Sequence, residues 1–579
     1  MKVFLLHPQD SFPVSSAENH WDLIVDLSRA PNTTYERWSQ RAGCPVLSLY
    51  QFAEESQGLS GVRQLLQLGL GSVVDSWGID WWDVLSLEIL PQLQQLILLH
   101  RLSKELGTNC ALYSTRADPL ALALQRVLGA SLTIRGSRFH GAIQKLRHYG
   151  EIFSQLDITQ LAQVLEDKFD GDHSIRRRFT HRRHGCDGSV ILLPSAYVNV
   201  SRTALSYATS LPDHQFLLVL ARSNGQVQSL PTNVRVAPLT PYFAPTNQQE
   251  IASLRELWKI LKARLACSFE PFAMADAAGV LGRITSLLPW GIALRDAWSQ
   301  VFESENVTAC LSADDSNPLS SIPLIMAKQR GLPALVCHHG ALDYQMAVKT
   351  NHADFYLVKN EMERDYLSRV CHLAPEKIVV AVPPASQVLA SQRAARHSAG
   401  WLVFFTEPYQ SHGWRSEEVY RDLLPRLCSL AKTTGLKLVF KLHPLESVKG
   451  HRKMLRRLAP AQEHEIDVIA GSPTSQLWSN TRCALTVQSS TAVECTALGI
   501  PVFLCGWLRD PYSGYAQQFA RFGVGRVLES PEQIAEIPRM LEEEDTNSFP
   551  ISRSSGNKEH DQVAQLLAGA CAMPLASNG

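Results

Sequence analysis

One apolar run of the chain, Leu436-Lys437-Leu438-Val439-Phe440, closes on Lys441-Leu442-His443-Pro444. A strand that ends this way puts a cation and an imidazole at one sheet edge, and Pro444, which lacks an N–H, stops the ladder there. His443 is then placed to donate to a phosphate or nucleobase, and Lys441 to neutralise a phosphate charge. A solvated polar strand end is the other reading of these residues. Further on, Thr486-Val487-Gln488-Ser489-Ser490-Thr491-Ala492-Val493-Glu494 runs from a strand into three hydroxyls and at once into a helix. The first N–H groups of a helix have no intrahelical partner and lie at the positive end of its dipole, so this junction suits a phosphate, with Ser489 and Ser490 adding neutral donors. Thr491 and Glu494 also have the S/T-x-x-E spacing of a capping box, in which the hydroxyl only closes the helix. The two roles are compatible if Thr491 caps while Ser489 and Ser490 face outward.

Proton removal needs an imidazole or a carboxylate. Cys337-His338-His339-Gly340 follows the apolar run Ala334–Val336, so His339 should project from a carboxyl edge as a general base, with His338 turned into the body of its unit. Packing at a tight glycine turn is the alternative for His339. A second candidate is Ser312-Ala313-Asp314-Asp315-Ser316-Asn317, where Asp314 or Asp315 would act as base or would cap the helix expected from Pro318. Glu407, in Thr406-Glu407-Pro408-Tyr409, opens the edge of another strand and would orient a ligand there or serve as a turn residue. There is no HExxH, no Cys/His ligand spacing, no D-x-D at a strand end and no P-loop, so no metal site and no cofactor are expected.

The stretches around His443 and Ser489 together resemble the carboxyl-terminal half of nucleotide-sugar transferases with the two-Rossmann (GT-B) fold. The run Ser489-Ser490-Thr491-Ala492-Val493-Glu494-Cys495-Thr496-Ala497-Leu498-Gly499-Ile500-Pro501-Val502 is similar to that superfamily's hydroxyl–helix–Gly-x-Pro-Val pattern. The pair of HP and SS motifs resembles bacterial sialyltransferases and the capsule transferases of 3-deoxy-octulosonic acid. The likeness covers residues 400–530 and the rest by architecture only. It implies His443 on the nucleotide, Ser489 and Ser490 on its phosphate, and Lys441, Thr491, Glu494 and Glu407 around the donor. His339-Gly340 resembles the HG of teichoic-acid glycerophosphotransferases, with the strand Ala353–Val358 and helix Glu361–Val370 fitting the same pattern. Asp314-Asp315 resembles the acidic D/E-D/E-G base motif of sialyltransferases, with Ser316 in place of the glycine. Retaining enzymes of the fold carry E-x7-E; Glu494 matches its second position and Thr486 stands at the first, which implies inversion.

The elements that must hold these residues are short apolar strands alternating with helices. Candidate strands are Lys2–Leu6, Leu23–Leu27, Val46–Leu49, Cys110–Ser114, Val190–Pro194, Phe216–Ala221, Thr308–Ser312, Ala334–His338, Phe355–Val358 and Ile378–Val382. After the polar stretch Ser386–Gly400 come Trp401–Thr406, Leu436–His443, Ile466–Ala470, Cys483–Val487 and Pro501–Cys505. Helices are expected at Gly61–Leu70, Ser86–Leu106, Pro119–Leu128, Pro318–Arg330 and near Pro531–Glu544. Continuous apolar strands with intervening helices predict α/β architecture with parallel sheets covered on both faces. The expected fold is GT-B: two doubly wound units, 1–390 on the acceptor side and 391–546 on the donor side, facing a central cleft. Residues 131–188 read as a helical or linker insertion and 547–579 as a loose tail.

The chain of 579 residues balances 55 Lys+Arg against 55 Asp+Glu, which excludes the basic excess of a nucleic-acid-coating protein. The balance is uneven along the chain, since Lys437 to Arg457 holds Lys437, Lys441, Lys449, Arg452, Lys453, Arg456 and Arg457 against Glu446 alone. The helix expected there leaves most of them solvated and only Lys441 at the site. A second basic run, Arg176–His184, reads as a solvated linker or an anionic-lipid contact. MKVFLLHPQD lacks the long apolar stretch of a signal peptide, and no run of about 18 apolar residues occurs. Twelve cysteines without CxxC pairs read as buried small hydrophobes. A cytoplasmic location, at the inner face of the membrane, is expected, with peripheral membrane association following from a polysaccharide acceptor.

These features predict an inverting, metal-independent glycosyltransferase that moves a sugar from a nucleotide-activated donor to a surface glycan or polysaccharide. Alternatives are a CDP-glycerol-type glycerophosphotransferase, a sugar-nucleotide 2-epimerase of the same fold, or a non-catalytic nucleotide- or glycan-binding protein. The epimerases show an SGG stretch where this chain has Gln488-Ser489-Ser490.

Overall fold

The computed structural model describes residues 1–8, 10, 12, 20–52, 71–116, 118–134, 188–222, 229–340, 342, 344–381, 400–410, 413–508, 515–544 and 556–569. The helix expected at Gly61–Leu70, the insertion beyond residue 134, the basic run Arg176–His184 and the linker ahead of Gly400 lie outside the described residues.

Runs such as Val190–Ser195 are buried along their whole length, which a strand tolerates only when both sheet faces are covered. The eighteen described strands, most of them largely buried, form three parallel sheets. The first comprises β1 (Lys2–Leu6), β2 (Leu23–Asp26), β3 (Val46–Ser48), β4 (Ala111–Ser114) and β5 (Ser131–Ile134), in the order β3-β2-β1-β4-β5. The second comprises β6 (Val190–Ser195), β7 (Phe216–Leu220), β8 (Val234–Pro238), β9 (Val307–Ser312), β10 (Ala334–Cys337), β11 (Phe355–Val358) and β12 (Ile378–Val380), in the order β12-β11-β10-β9-β6-β7-β8. The third comprises β13 (Trp401–Phe405), β14 (Lys437–Lys441), β15 (Asp467–Ile469), β16 (Thr481–Thr486), β17 (Val502–Cys505) and β18 (Arg526–Leu528), in the order β15-β14-β13-β16-β17-β18.

In every sheet the chain starts in the middle, winds outward for three strands, then returns to the other side of its first strand. That winding leaves a crevice at the carboxyl ends of the first and fourth strands, where ligands of doubly wound sheets bind. The three crevices lie at β1/β4, β6/β9 and β13/β16. Of the two expected units, 391–546 holds the third sheet and 1–390 holds the first and second. The span 1–390, expected as one unit, carries an additional five-stranded sheet ahead of the second, because β5 closes one hydrogen-bonded set and the strands from β6 onward pair only among themselves.

One continuous apolar core joins all three sheets, from Val3 and Leu5 through Leu192 and Val336 to Val403 and Ala484. Helix Gly282–Ser304 packs so closely on the first unit that a Cβ at Gly291 would overlap the Trp81 ring. The tail expected to be loose includes helix Gly556–Leu567, whose Val563, Leu566 and Leu567 join the core on the second sheet's outer face beside Ile191 and Tyr207. The polar run ahead of that helix masks its apolar stripe in sequence. No single described helix is long and apolar enough to cross a membrane.

Candidate active site

At the third sheet's edge, Lys441 is the last residue of β14 and is buried, its Nζ donating to the Leu442 carbonyl (2.9 Å). Burial, then the charge of Arg202, lower its pKa to about 8, with Glu494 and Glu446 acting the other way. His443 is half-buried, and its Nδ1 accepts from the Leu445 N–H (3.2 Å), which in the neutral ring puts the proton on Nε2 as a donor. Its own N–H is shared between Thr406 Oγ1 (3.0 Å) and Glu446 Oε2 (3.2 Å). Glu446 also accepts from the Thr406 hydroxyl, and burial pushes its carboxyl up to about 7. This residue has no place among the sequence-derived candidates; the signal was there, an acid three residues past His443 in a run otherwise basic.

Glu407 differs from its expected role. It is buried behind the hydroxyl turn, and its Oε1 accepts from the Gln488 N–H (2.7 Å) and the Thr486 hydroxyl (3.4 Å). The carboxylate therefore shapes the 486–490 turn from behind instead of meeting a ligand, and burial raises its pKa to about 7. The expected capping box is also absent. Ser489 Oγ accepts from the Thr491 N–H (3.3 Å) and hydroxyl (3.0 Å), so Ser489, not Thr491, closes the helix. Ser490 precedes helix Thr491–Ala497 in helical conformation and its side chain caps nothing. With only seven residues that helix carries a weak dipole. Glu494 is half-buried; burial raises its pKa, and Lys359 and Lys441 oppose the rise.

At the second sheet's edge, His339 Nδ1 lies 3.0 Å from the Ala313 carbonyl, so the ring proton sits there. The Tyr197 hydroxyl donates to Nε2 (2.9 Å), leaving this nitrogen as the basic one. Burial lowers the imidazole's pKa, Asp314 counteracts, and Lys359 lowers it further, so the ring is neutral near pH 7. Tyr197, two residues past β6 at the crevice, escaped the sequence reading because tyrosine after a strand carries no motif.

Asp314 accepts from the Ser316 N–H (2.9 Å), the Ser316 hydroxyl (2.6 Å) and Asn317 Nδ2 (2.5 Å), and reaches the Tyr197 hydroxyl at 3.5 Å. It organises the loop beside His339. Asn317 occupies the position before helix Pro318–Gln329 with no side-chain cap, so neither aspartate caps that helix. Asp315 does not serve as a base: it is buried, ion-paired to Lys349, and accepts from the Tyr356 hydroxyl (3.1 Å). Burial pushes its carboxyl up, but Lys349 and His338 outweigh that and hold it low. His338 lies buried against Tyr356 as expected, its pKa lowered to about 4 by burial.

The two edges face one another. Lys359, just past β11, donates to the Gly340 carbonyl (2.9 Å) and Glu363 (3.0 Å), and its charge acts on both His339 and Glu494. Arg202, on helix Val198–Ser210, acts from the second unit on Lys441 of the third. Charge thus links His339 and Asp314 of the second unit, through Lys359, to Glu494 and Lys441 of the third, while His443, Ser489, Ser490 and Thr491 stand on the third sheet's carboxyl edge and Glu407 and Asp315 are buried.

The first crevice also holds a histidine. His7 Nδ1 lies 2.6 Å from Asp118 and Nε2 lies 2.8 Å from Ser114 Oγ. The order resembles a catalytic triad, but Ser114 is fully buried and its hydroxyl donates to the Arg116 carbonyl (2.7 Å), so it is no nucleophile. Arg415, from the third unit, fills the rest of this crevice.

No family model and no curated protein matches this chain. Among solved structures, it is similar to the UDP-GlcNAc 2-epimerase of Methanocaldococcus jannaschii in complex with UDP-GlcNAc and UDP, at 12% identity and TM-score 0.37, over 66% of this chain and 99% of that one. It is similar to the wall teichoic acid polymerase TagF at 11% identity and TM-score 0.37, over 73% of this chain and 94% of that one. It is also similar to MurG of Acinetobacter baumannii at 12% identity and TM-score 0.35, over 61% of this chain and 90% of that one. The chemistry of the cleft is read from its own residues.

Proposed function

We propose that this chain is a nucleotide-sugar enzyme of the GT-B type, and within that class an inverting glycosyltransferase that acts without a metal. The observation that carries the reading is His339: a neutral imidazole at the second sheet's carboxyl edge whose Nδ1–H is committed to a carbonyl and whose basic Nε2 sits on a tyrosine. Such a base removes the proton of an acceptor hydroxyl as that oxygen attacks the anomeric carbon. The bond from that carbon to the nucleotide's phosphate oxygen breaks, and the leaving phosphate takes the electron pair. Lys441 and the hydroxyls of Ser489 and Ser490 receive the charge, and His443 Nε2–H holds the nucleotide. Burial raises Glu407 and Glu446 to about 7, so these two carboxylates oppose a phosphate less than full charges would. The acceptor is a glycan or polysaccharide, and the nucleotide sugar is a co-substrate, not a resident cofactor.

A second reading draws on Arg202. Two cations from different units whose charges act on one another suit a transferred unit that carries its own phosphate, as in glycerophosphotransfer. One experiment separates the readings: purified protein is offered CMP-, CDP-, UDP- and GDP-linked sugars and CDP-glycerol, with and without a glycan acceptor, and nucleotide release is measured. Acceptor-stimulated release from a sugar donor supports glycosyl transfer, and release from CDP-glycerol alone supports the second reading. Binding of none of these donors would remove both.

A further inference from the structure

Beside His443 the chain exposes what folded proteins bury. Leu445 is 68% exposed, more than any other large hydrophobic among the described residues, and Val448 is 39% exposed. Both stand at the start of helix Val448–Leu458, which Ser447 caps by accepting from the Gly450 N–H (3.0 Å). The helix buries His451 and Leu455 and turns Lys449, Lys453, Arg456 and Arg457 outward. Lys449, Lys453 and Arg456 follow at i, i+4 and i+7 and so form one stripe. Arg457 pairs with Glu417 (2.9 Å) and Arg456 reaches Glu463 only at 3.9 Å, while no described acid pairs with Lys449 or Lys453. Arg452 is spent on the fold, donating to the carbonyls of Glu463 and Ile466. Glu446, the one acid of the run, turns inward under Thr406 and His443.

This face is an apolar tip at one end of a cationic stripe, in which Lys449 and Lys453 pair with no described acid. A soluble polyanion would use the cations and leave Leu445 in water. An acidic protein groove would have to supply both a hydrophobic slot and its own buried countercharges. A bilayer with anionic headgroups meets both demands at once: apolar side chains enter the acyl boundary while lysine and arginine stay among the phosphates. We propose that Leu445, Val448, Lys449, Lys453 and Arg456 dock this chain on an anionic membrane. Docking there sets the His443 side of the cleft at the bilayer surface, so the acceptor is one anchored to lipid; that last step rests on the transferase reading, whereas docking itself does not.

The test is co-sedimentation of the full chain with vesicles of phosphatidylcholine alone and of phosphatidylcholine with phosphatidylserine. Binding is expected only to the anionic vesicles and to weaken with salt, with about a fivefold loss for each cation removed near the surface. Lys449→Glu with Lys453→Glu should release the protein, and Leu445→Glu should do so without adding to the cation loss, each with the thermal midpoint unchanged. A Leu445→Trp variant should shift its emission to the blue on anionic vesicles, which adsorption by charge alone would not produce. Unchanged vesicle binding by Leu445→Glu, no binding to anionic vesicles, or heparin binding that matches vesicle binding and ignores Leu445→Glu would each overturn the proposal. Vesicle binding without turnover of any donor leaves docking standing and removes the transferase reading; turnover without vesicle binding does the reverse.

Discussion

At β1/β4 the crevice holds an arginine from elsewhere in the same chain, whereas at β13/β16 it holds a glutamate and a turn of hydroxyls beside an open cleft. Arg415 places its Nε on Asp26 (3.0 Å), Nη2 on Asp26 (2.9 Å) and the His7 carbonyl (2.7 Å), and Nη1 on the carbonyls of Pro8 (3.1 Å) and Asp10 (3.0 Å). All five guanidinium hydrogens thus find acceptors. The Arg29 backbone meets Gly413 and Arg415 on the same seam, and Thr33 reaches Asp422 (2.9 Å). The first crevice has become a socket for the third unit. In the third crevice Glu407 is internal, accepting from Gln488 and Thr486, and no arginine from another unit is seated on the turn among the described contacts. The same winding therefore makes a joint in one place and a site in another, and what decides is whether the chain's own side chains already satisfy the edge.

Substitutions should separate the two crevices. His339→Ala is expected to lower turnover about 10²–10⁴-fold while nucleotide affinity and the thermal midpoint hold, as removal of a general base does; steady-state rates set against a binding isotherm would show it. Arg415→Ala should do the opposite, costing about 3–5 kcal/mol of stability in denaturant unfolding because it leaves Asp26 buried without its cation, with the affinity of the folded protein for nucleotide retained. Equal effects of the two on turnover would erase the distinction drawn here.

A pH experiment sharpens it. Glu446 has its folded pKa raised to about 7 from 4.5, so the folded state binds the extra proton and stability falls as pH rises through that window. The group's contribution amounts to about 3 kcal/mol at most between those values. Glu407, raised likewise, adds in the same direction, so Glu446→Gln should reduce the slope between pH 5 and pH 7.5 without abolishing it. Lys441→Met should weaken nucleotide binding about tenfold to a hundredfold, the worth of one charge-assisted hydrogen bond, as read by calorimetry. Ser489→Ala should cost about 1 kcal/mol through the lost helix closure, and Ser490→Ala less than about 0.5 kcal/mol.

The strands were the most legible part of the molecule. Buried parallel strands read as unbroken apolar runs, and the bounds expected for β1 and β11 are those observed. The missed strands lie at or near sheet edges: β5 is mostly exposed, and β8 and β18 alternate with polar or charged residues. His339, His443 and Ser489 were legible because each follows an apolar run at a carboxyl edge. Tyr197, Arg202 and Lys359 were not, since their roles arise from elements that meet only in three dimensions, whereas Glu446 carried a local signal that was passed over. Local pattern also misplaced the cap by two residues: Thr491 and Glu494 have the right spacing, but Ser489 has the right position. Arg415 reads in sequence as a residue before a helix, and nothing in its surroundings announces a socket nearly 400 residues away.

Helix Gly556–Leu567 lies on the second sheet, with Gly569 against Pro333, although the strands before it belong to the third. The chain therefore passes between the two units twice, once between β12 and β13 and once after helix Ile537–Glu544. With the Arg415 socket and the shared core, that return ties the third unit to its neighbours at more than one place along the sequence.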